Sequence, residues 1–423
     1  MNAKTEGGGS VTRVALLCNP YHRGGIERFM ADLAVAWPGV GGTCWLVVPR
    51  PRAPFRNAGT SHTVSSVVGT AHRVPRGLRM VEPLVGPEFE FGTEAYRASV
   101  YARALLEVVP EGVPVITSDD PAAWRAASWL ASRNPAILVI HGDYDGYYSR
   151  LERYAPIASA IVPISRRIEA CIRERSLGAA ARVEHIPLGI ALGEAPAESP
   201  SARDDLARLL WVGRMDESSK RISDLPRIAT RLRERGVSFL MTFVGDGADR
   251  PALESAVNAA NLRDRIRFHG WASSRDVHAM LRESDVLLLP SNREGLPVAM
   301  MEALAAGCAV VAGRVSGVED YESHLFAKGS LWVHDVGDAN RAAELVAQAL
   351  AVPRAERIRR ARALAEAEFS IERCAERYAE LMAHLPATRT PGRALGSFRK
   401  RLIGLASAPV AAQRRLRMWA ADR

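Results

Sequence analysis

Residues 284–312 read SDVLLLPSNREGLPVAMMEALAAGCAVVA, and the order of apolar and polar segments in them decides the fold. Val286 to Leu289 is an apolar run of strand length. Pro290 to Leu296 is a polar loop that carries Glu294. Pro297 suits the first turn of a helix, where its fixed φ fits and its missing N–H is not needed. The helix predicted over Val298 to Ala306 stops at Gly307, a residue at ease in the left-handed turn that ends helices. Cys308 to Ala312 is a second buried strand. Strand, loop, helix, strand is the unit of a parallel sheet. It puts Glu294 in the loop and Glu302 more than one turn into the helix, eight residues apart. The helix N-terminus between them offers unpaired N–H groups and the positive end of its dipole, which suits a phosphate. The carboxylates suit hydroxyls. A ligand with both a phosphate and many hydroxyls is a nucleotide sugar.

With Gly295, Leu296 and Pro297 directly after Glu294, this stretch resembles the signature of the GT-B glycosyltransferases of family four, the glycosyltransferase group 1 superfamily, which retain anomeric configuration. The resemblance implies that Glu294 contacts the donor sugar and that Glu302 binds the nucleotide ribose. Gly295, Leu296, Pro297 and Val298 then line the donor site.

Around that stretch the chain alternates strands with helices. Arg13 to Leu17 is a strand, Ile26 to Trp37 an amphipathic helix, Thr43 to Val48 a strand. Further strands are predicted at Val113 to Thr117, Ala136 to Ile140 and Ser159 to Ile164. Residues Pro49 to Glu94 are rich in Pro, Gly, Ser and Arg and carry no clear period. Gly189 to Ser201 has linker composition, and the pattern then restarts. Strands are predicted at Arg208 to Val212, Ser238 to Val244 and Ile266 to His269, with helices at Asp224 to Glu234, Pro251 to Ala260 and Arg275 to Glu283. Alternation of this kind makes parallel sheets covered on both faces, with ligands at the carboxyl ends of the strands.

The expected architecture is α/β: the GT-B fold, two doubly wound Rossmann-like domains facing across a cleft. The expected divisions are a disordered leader at 1–10, an acceptor-binding domain at 11–190 and a linker at 191–205. A nucleotide-sugar-binding domain follows at 206–370. A final helix at 371–388 crosses back to the first domain, and a basic tail occupies 389–423.

Other motifs fall at strand ends. Residues 211–221 read WVGRMDESSKR. Charge grows on the diphosphate as it leaves a nucleotide sugar, so cations are needed there. The resemblance assigns that task to Arg214 and Lys220, with no metal or other cofactor. Residues 18–28 read CNPYHRGGIER; Gly24 and Gly25 sit where a backbone can approach a ligand closely. They resemble the family's loop facing donor phosphate and acceptor. His141 follows a strand and resembles the family histidine that contacts the transferred sugar. Gly245, in the segment VGDG, and Gly270 with Trp271 match segments that bound the base and ribose. Asp143 and Asp145 form a DxD, which in glycosyltransferases of another fold holds a metal; here it reads as a loop near the acceptor. Asp119 and Asp120 before Pro121 read as a turn and helix cap.

Composition bounds the rest. With 423 residues, 48% hydrophobic and 24% charged, the chain is an ordinary globular protein large enough for two domains. No apolar run approaches about 18 residues, so no spanning helix is expected. The polar start MNAKTEGGGS lacks the apolar core of a signal peptide. Five scattered cysteines without CxxC spacing fit a reducing cytoplasm. From Arg389 to Arg423 there are nine Lys or Arg against one Asp, so this tail carries +8 of the net +9. Its Leu and aromatic positions, Leu395, Phe398, Leu402, Leu405, Leu416 and Trp419, alternate with basic ones at helical spacing. That predicts attachment of residues 395–423 to an anionic membrane surface, on the cytoplasmic face. Only Phe398 and Trp419 are aromatic there, so stacking platforms for nucleic acid are poor and no nucleic acid is expected.

The expected activity is transfer of a sugar from a nucleotide-diphosphate sugar to a glycan or lipid-linked acceptor in cell-envelope or polysaccharide biosynthesis. The alternatives are a nucleic-acid-binding protein using the tail, and a sugar-nucleotide epimerase or phosphorylase on the same fold.

Overall fold

The computed structural model describes residues 12–19, 25–51, 75–86, 89, 92–118, 120–194 and 206–385. The leader and the basic tail called from sequence lie outside these residues, as do Gly24 and Asp119. The described chain divides into two units.

The first unit contains β1 (Arg13–Leu17), α1 (Gly25–Ala36), β2 (Thr43–Val47), β3 (Arg50–Pro51), β4 (Leu78–Val81), β5 (Leu84–Val85) and α2 (Glu94–Val108). It continues with β6 (Val115–Thr117), α3 (Pro121–Leu130), β7 (Ala136–Ile140), α4 (Asp145–Tyr154), β8 (Ala160–Pro163), α5 (Arg166–Glu174) and β9 (Arg182–Val183). Seven of these strands form one sheet in the order β4-β2-β1-β6-β7-β8-β9, every pairing parallel. β3 and β5 pair separately. All five residues of β7 are buried, as expected of a strand covered on both faces.

The second unit contains β10 (Ala207–Val212), α6 (Glu217–Lys220), α7 (Asp224–Glu234), β11 (Phe239–Val244), α8 (Arg250–Ala259), β12 (Ile266–Gly270) and α9 (Ser274–Glu283). β13 (Val286–Leu289), α10 (Val298–Ala305), β14 (Ala309–Gly313), β15 (Leu331–His334), α11 (Ala339–Ala351) and α12 (Arg354–Glu368) complete it. Its sheet runs β12-β11-β10-β13-β14-β15, again all parallel. Leu209, Trp211, Met241, Phe243, Val286, Leu288 and Val311 point from the strands into one core, closed by Leu225, Ile228 and Leu232 of α7 and Val346 of α11. Each such side chain contributes about 1.5–3 kcal/mol on burial.

One grouping differs from the sequence reading. Residues Ile164–Ala170, inside the range assigned to the first domain, group with the second unit by their contacts. α13 (Ile371–Ala383) groups with the first unit. Among the described residues no helix is long and apolar enough to cross a membrane.

Candidate functional site

Strand order locates the site of the second unit. The chain leaves β10 toward β11 and β12, then returns to the other side of β10 with β13. β10 and β13 therefore flank a switch point, where loops leave in opposite directions and open a crevice at the carboxyl ends. The loops after these two strands are Gly213–Asp216 with α6, and Pro290–Pro297.

The first loop is tightly ordered. Asp216 caps α6, accepting hydrogen bonds from the Ser218 amide at 2.9 Å, the Ser218 hydroxyl at 2.8 Å and the Ser219 hydroxyl at 2.6 Å. These bonds, that of Ser219 foremost, hold its carboxyl below the usual range. Asp249 accepts from the Glu217 amide at 2.8 Å. The two loops are then joined through the main chain, for the Ser219 carbonyl accepts from the amides of Asn292 at 2.8 Å and Arg293 at 3.3 Å.

These constraints bring Lys220 to Glu294, with Nζ 2.6 Å from Oε1. Arg214 is exposed and makes no hydrogen bond or ion pair with a described residue; its charge acts on Asp216. α10 begins after Pro297, which is its N-cap at φ −67° and not its first helical residue. Met300 and Met301 donate to the Pro297 carbonyl, so the amides of Val298 and Ala299 stand outside the helical ladder. Gly307, at φ +76°, ends the helix: its amide bonds the Leu304 carbonyl and that of Cys308 bonds the Ala303 carbonyl. Glu302 lies 3.7 Å from Nε2 of His278 on α9. Leu296 is buried. The Gly295 carbonyl accepts from the Ser316 hydroxyl at 3.4 Å.

The glycines called from sequence fall beside this set. Gly245 has φ +128°, and a Cβ there would lie 1.8 Å from the Gly213 carbonyl. Its amide bonds the Gly270 carbonyl at 2.8 Å. Gly270 has φ +79°, and the next residue, Trp271, is 70% exposed. So the ends of β10, β11 and β12 are stacked backbone against backbone. Sequence reasoning missed Gly213 and Gly317 as parts of this framework. A Cβ on Gly317, at φ +77°, would lie 2.3 Å from the Gly295 carbonyl. The available signal for Gly213 was its place directly after a strand.

In the first unit the switch point lies between β1 and β6. Asn19, just past β1, donates to the Asp120 carboxylate at 3.2 Å. Asp120 is buried, caps α3 through the Ala122 amide and also accepts from the Tyr101 hydroxyl at 3.3 Å. The cap was legible in sequence; the links to Asn19 and Tyr101 were not. His141 ends β7 with its ring buried, edge-on to Phe29 at 6.1 Å. Gly25 is the first residue of α1. The DxD carboxylates are engaged separately: Asp143 accepts from the Tyr148 hydroxyl at 2.7 Å, and Asp145 pairs with Arg175 at 2.8 Å.

Comparison with known proteins agrees with the fold. Residues 23–194 match the model of Glycosyltransferase Family 4, and residues 196–366 match that of Glycosyl transferases group 1. The chain belongs to the group 1 glycosyltransferases, whose GT-B architecture its two sheets adopt. It is 30% identical over 189 residues to the amylovoran biosynthesis glycosyltransferase AmsK of Erwinia amylovora, covering 42% of this chain and 45% of that protein. It is 35% identical over 123 residues to the putative colanic acid biosynthesis glycosyltransferase WcaL of Escherichia coli, covering 28% and 30%. The matched stretches thus span less than half of these relatives. Among solved structures, sucrose-phosphate synthase of Thermosynechococcus elongatus superposes with a TM-score of 0.68 at 19% identity, over 88% of this chain and 99% of that one. TarM of S. aureus, in a complex containing UDP, gives 0.69 at 11% identity, over 88% and 100%.

Proposed function

We propose that this chain is a metal-independent, retaining glycosyltransferase that moves a sugar from a nucleoside-diphosphate sugar to a glycan or lipid-linked acceptor. The observation that carries this reading is the pairing of Lys220 with Glu294 at the switch point of the second sheet, between the loop that also carries Arg214 and the loop that leads into α10. A cationic pair and a helix N-terminus suit a diphosphate; Glu294 and Glu302 suit sugar and ribose hydroxyls.

In the proposed reaction the bond from the anomeric carbon to the diphosphate oxygen breaks. Negative charge grows on that oxygen, and Arg214, Lys220 and the amides of Val298 and Ala299 stabilise it. Lys220 exchanges Glu294 for the phosphate, and Glu294 turns to accept from sugar hydroxyls. The acceptor hydroxyl attacks on the face from which the diphosphate departs, its proton passes to the departing phosphate oxygen, and configuration is retained. Gly245, Gly270 and Trp271 bound the base and ribose.

The relatives named for amylovoran and colanic acid biosynthesis support a role in polysaccharide synthesis. The +8 charge of residues 389–423 supports a cytoplasmic enzyme held at an anionic membrane surface. Co-sedimentation with anionic and neutral vesicles tests this; equal sedimentation after truncation at Pro386 refutes it.

The main test is a thermal-shift panel of UDP-, GDP- and ADP-sugars, followed by product analysis with and without EDTA. Ligand at a hundred times Kd stabilises by about 2.7 kcal/mol, so one base should stand out. A retained anomer formed at an undiminished rate in EDTA supports the full reading. An inverted product refutes retention, and rescue of EDTA-treated enzyme by manganese refutes metal independence.

A further inference from the structure

Arg221 is the C-cap of α6 and sits at φ +45°, ψ 49°, in the left-handed region. Helix ends in this conformation normally carry glycine, because a side chain there is strained. A strained non-glycine residue persists only when its surroundings over-determine it. Here the surroundings come from three strand-end segments. Nε donates to Asp224 Oδ2 at 2.8 Å and Nη2 to Oδ1 at 3.4 Å, a forked pair on a carboxylate that is 1% exposed. Nη1 donates to Asn292 Oδ1 at 3.4 Å, in the loop that carries Glu294. On the far side, a Cβ at Gly337 would lie 3.0 Å from Nη2, so the guanidinium packs where that glycine, after β15, leaves room. The Asp224 amide closes the turn onto the Arg221 carbonyl at 3.0 Å.

We propose that Arg221 is a positioning residue: its forked bond to Asp224 and its bond to Asn292 fix the backbone next to Lys220, and so aim Lys220 at the diphosphate site beside Glu294. This rests on the donor-site reading above. The planar fork is what the geometry uses. A lysine has the charge but not two donors in one plane.

The test measures binding of UDP, GDP and ADP by titration calorimetry, together with thermal stability, using the full chain. Arg221→Gly relieves the strained φ and removes the fork, leaving the buried Asp224 carboxylate to Arg227 at 3.4 Å; we expect it to fold with a lowered melting temperature and, at a temperature where it is folded, to bind the preferred nucleoside diphosphate about tenfold more weakly. Arg221→Lys should not restore binding. Arg221→Gly combined with Lys220→Ala should bind like Lys220→Ala alone, because one residue acts through the other. Unchanged binding by Arg221→Gly overturns the proposal. So does full rescue by Arg221→Lys, which would mean direct charge contact with phosphate, or additive losses in the double variant. If Arg221→Gly does not fold, Asn292→Ala removes the far anchor alone; an expected threefold loss supports the proposal and no loss refutes it. A wild-type chain that binds none of the three nucleotides refutes the donor-site reading itself, whereas normal wild-type binding with an unaffected Arg221→Gly refutes only this assignment.

Discussion

Lys220 Nζ stands 2.6 Å from Glu294 Oε1 across 74 residues of sequence, with 23% and 12% of the two side chains exposed. The cation assigned to the leaving group and the carboxylate assigned to the sugar are thus each other's partner. The pair is only partly shielded from water, so its net contribution to folding is about 1 kcal/mol. Its contribution to catalysis is larger if Lys220 meets the diphosphate, because removal of one charge-stabilising donor costs about a hundred- to a thousandfold in turnover. Lys220→Ala should therefore lower the melting temperature by about 2–4 °C while turnover falls at least a hundredfold. Calorimetry beside steady-state kinetics checks this. A turnover loss below tenfold would make the pair structural.

Glu294 and Glu302 differ in what holds them, and their variants should differ too. Glu302 is carried on α10 beside His278, at 3.7 Å, whereas Glu294 is in the loop against Lys220. Glu302→Ala should weaken nucleotide-sugar binding about tenfold, or about 1.4 kcal/mol. Glu294→Ala should cost kcat more than nucleotide affinity. Titration calorimetry with the donor and a kinetic split into kcat and KM test both; a Glu302→Ala chain that binds donor normally removes that residue from the site.

Fold and site were not equally legible. Parallel strands buried on both faces read as unbroken apolar runs, which is why Ala136–Ile140 and Val286–Leu289 are found where expected. The helix Asp224–Glu234 also starts and stops as predicted. β4 and β5 were lost within the Pro- and Gly-rich stretch after residue 49, because short strands at sheet edges or between loops carry little period. Single side chains of the candidate site were named from their places after strands. Their partners were not. The pairs Lys220–Glu294 and Asn19–Asp120, and the contact of Gly245 with Gly213, join loops brought together only by strand order.

Two glycines with the same φ separate strain from collision. Gly41 and Gly317 both sit at φ +77°. Nothing lies within 4 Å of a Cβ built on Gly41, whereas one on Gly317 would be 2.3 Å from the Gly295 carbonyl and 2.7 Å from the Leu296 Cα. Gly41→Ala should cost about 1 kcal/mol, the penalty of the left-handed region alone, and spare donor binding. Gly317→Ala must also push back the loop that carries Glu294, so it should cost several kcal/mol or, if it folds, lower donor affinity. Denaturant unfolding and donor titration of the two variants decide; equal effects would mean that the loop after Gly295 yields freely.

The loop that presents Lys220 should keep its order well into acid, and Asp216 sets the limit. Its carboxyl is held low first by the Ser219 hydroxyl, against an opposing effect of burial, with further help from the Ser218 hydroxyl and amide and from the Arg214 charge. A carboxyl lowered in the folded state binds its proton less readily there than in the unfolded chain. Its contribution to stability is therefore fully present above the unfolded value, about pH 3.9, and is lost as pH falls through the lower folded value. Asp216→Asn cannot ionise and lacks this dependence. The melting-temperature difference between wild type and Asp216→Asn should be constant from pH 8 to about pH 5 and should shrink below about pH 4. Scanning calorimetry across that range tests it. A difference that widens on acidification would show that the neutral carboxyl is the form this loop prefers.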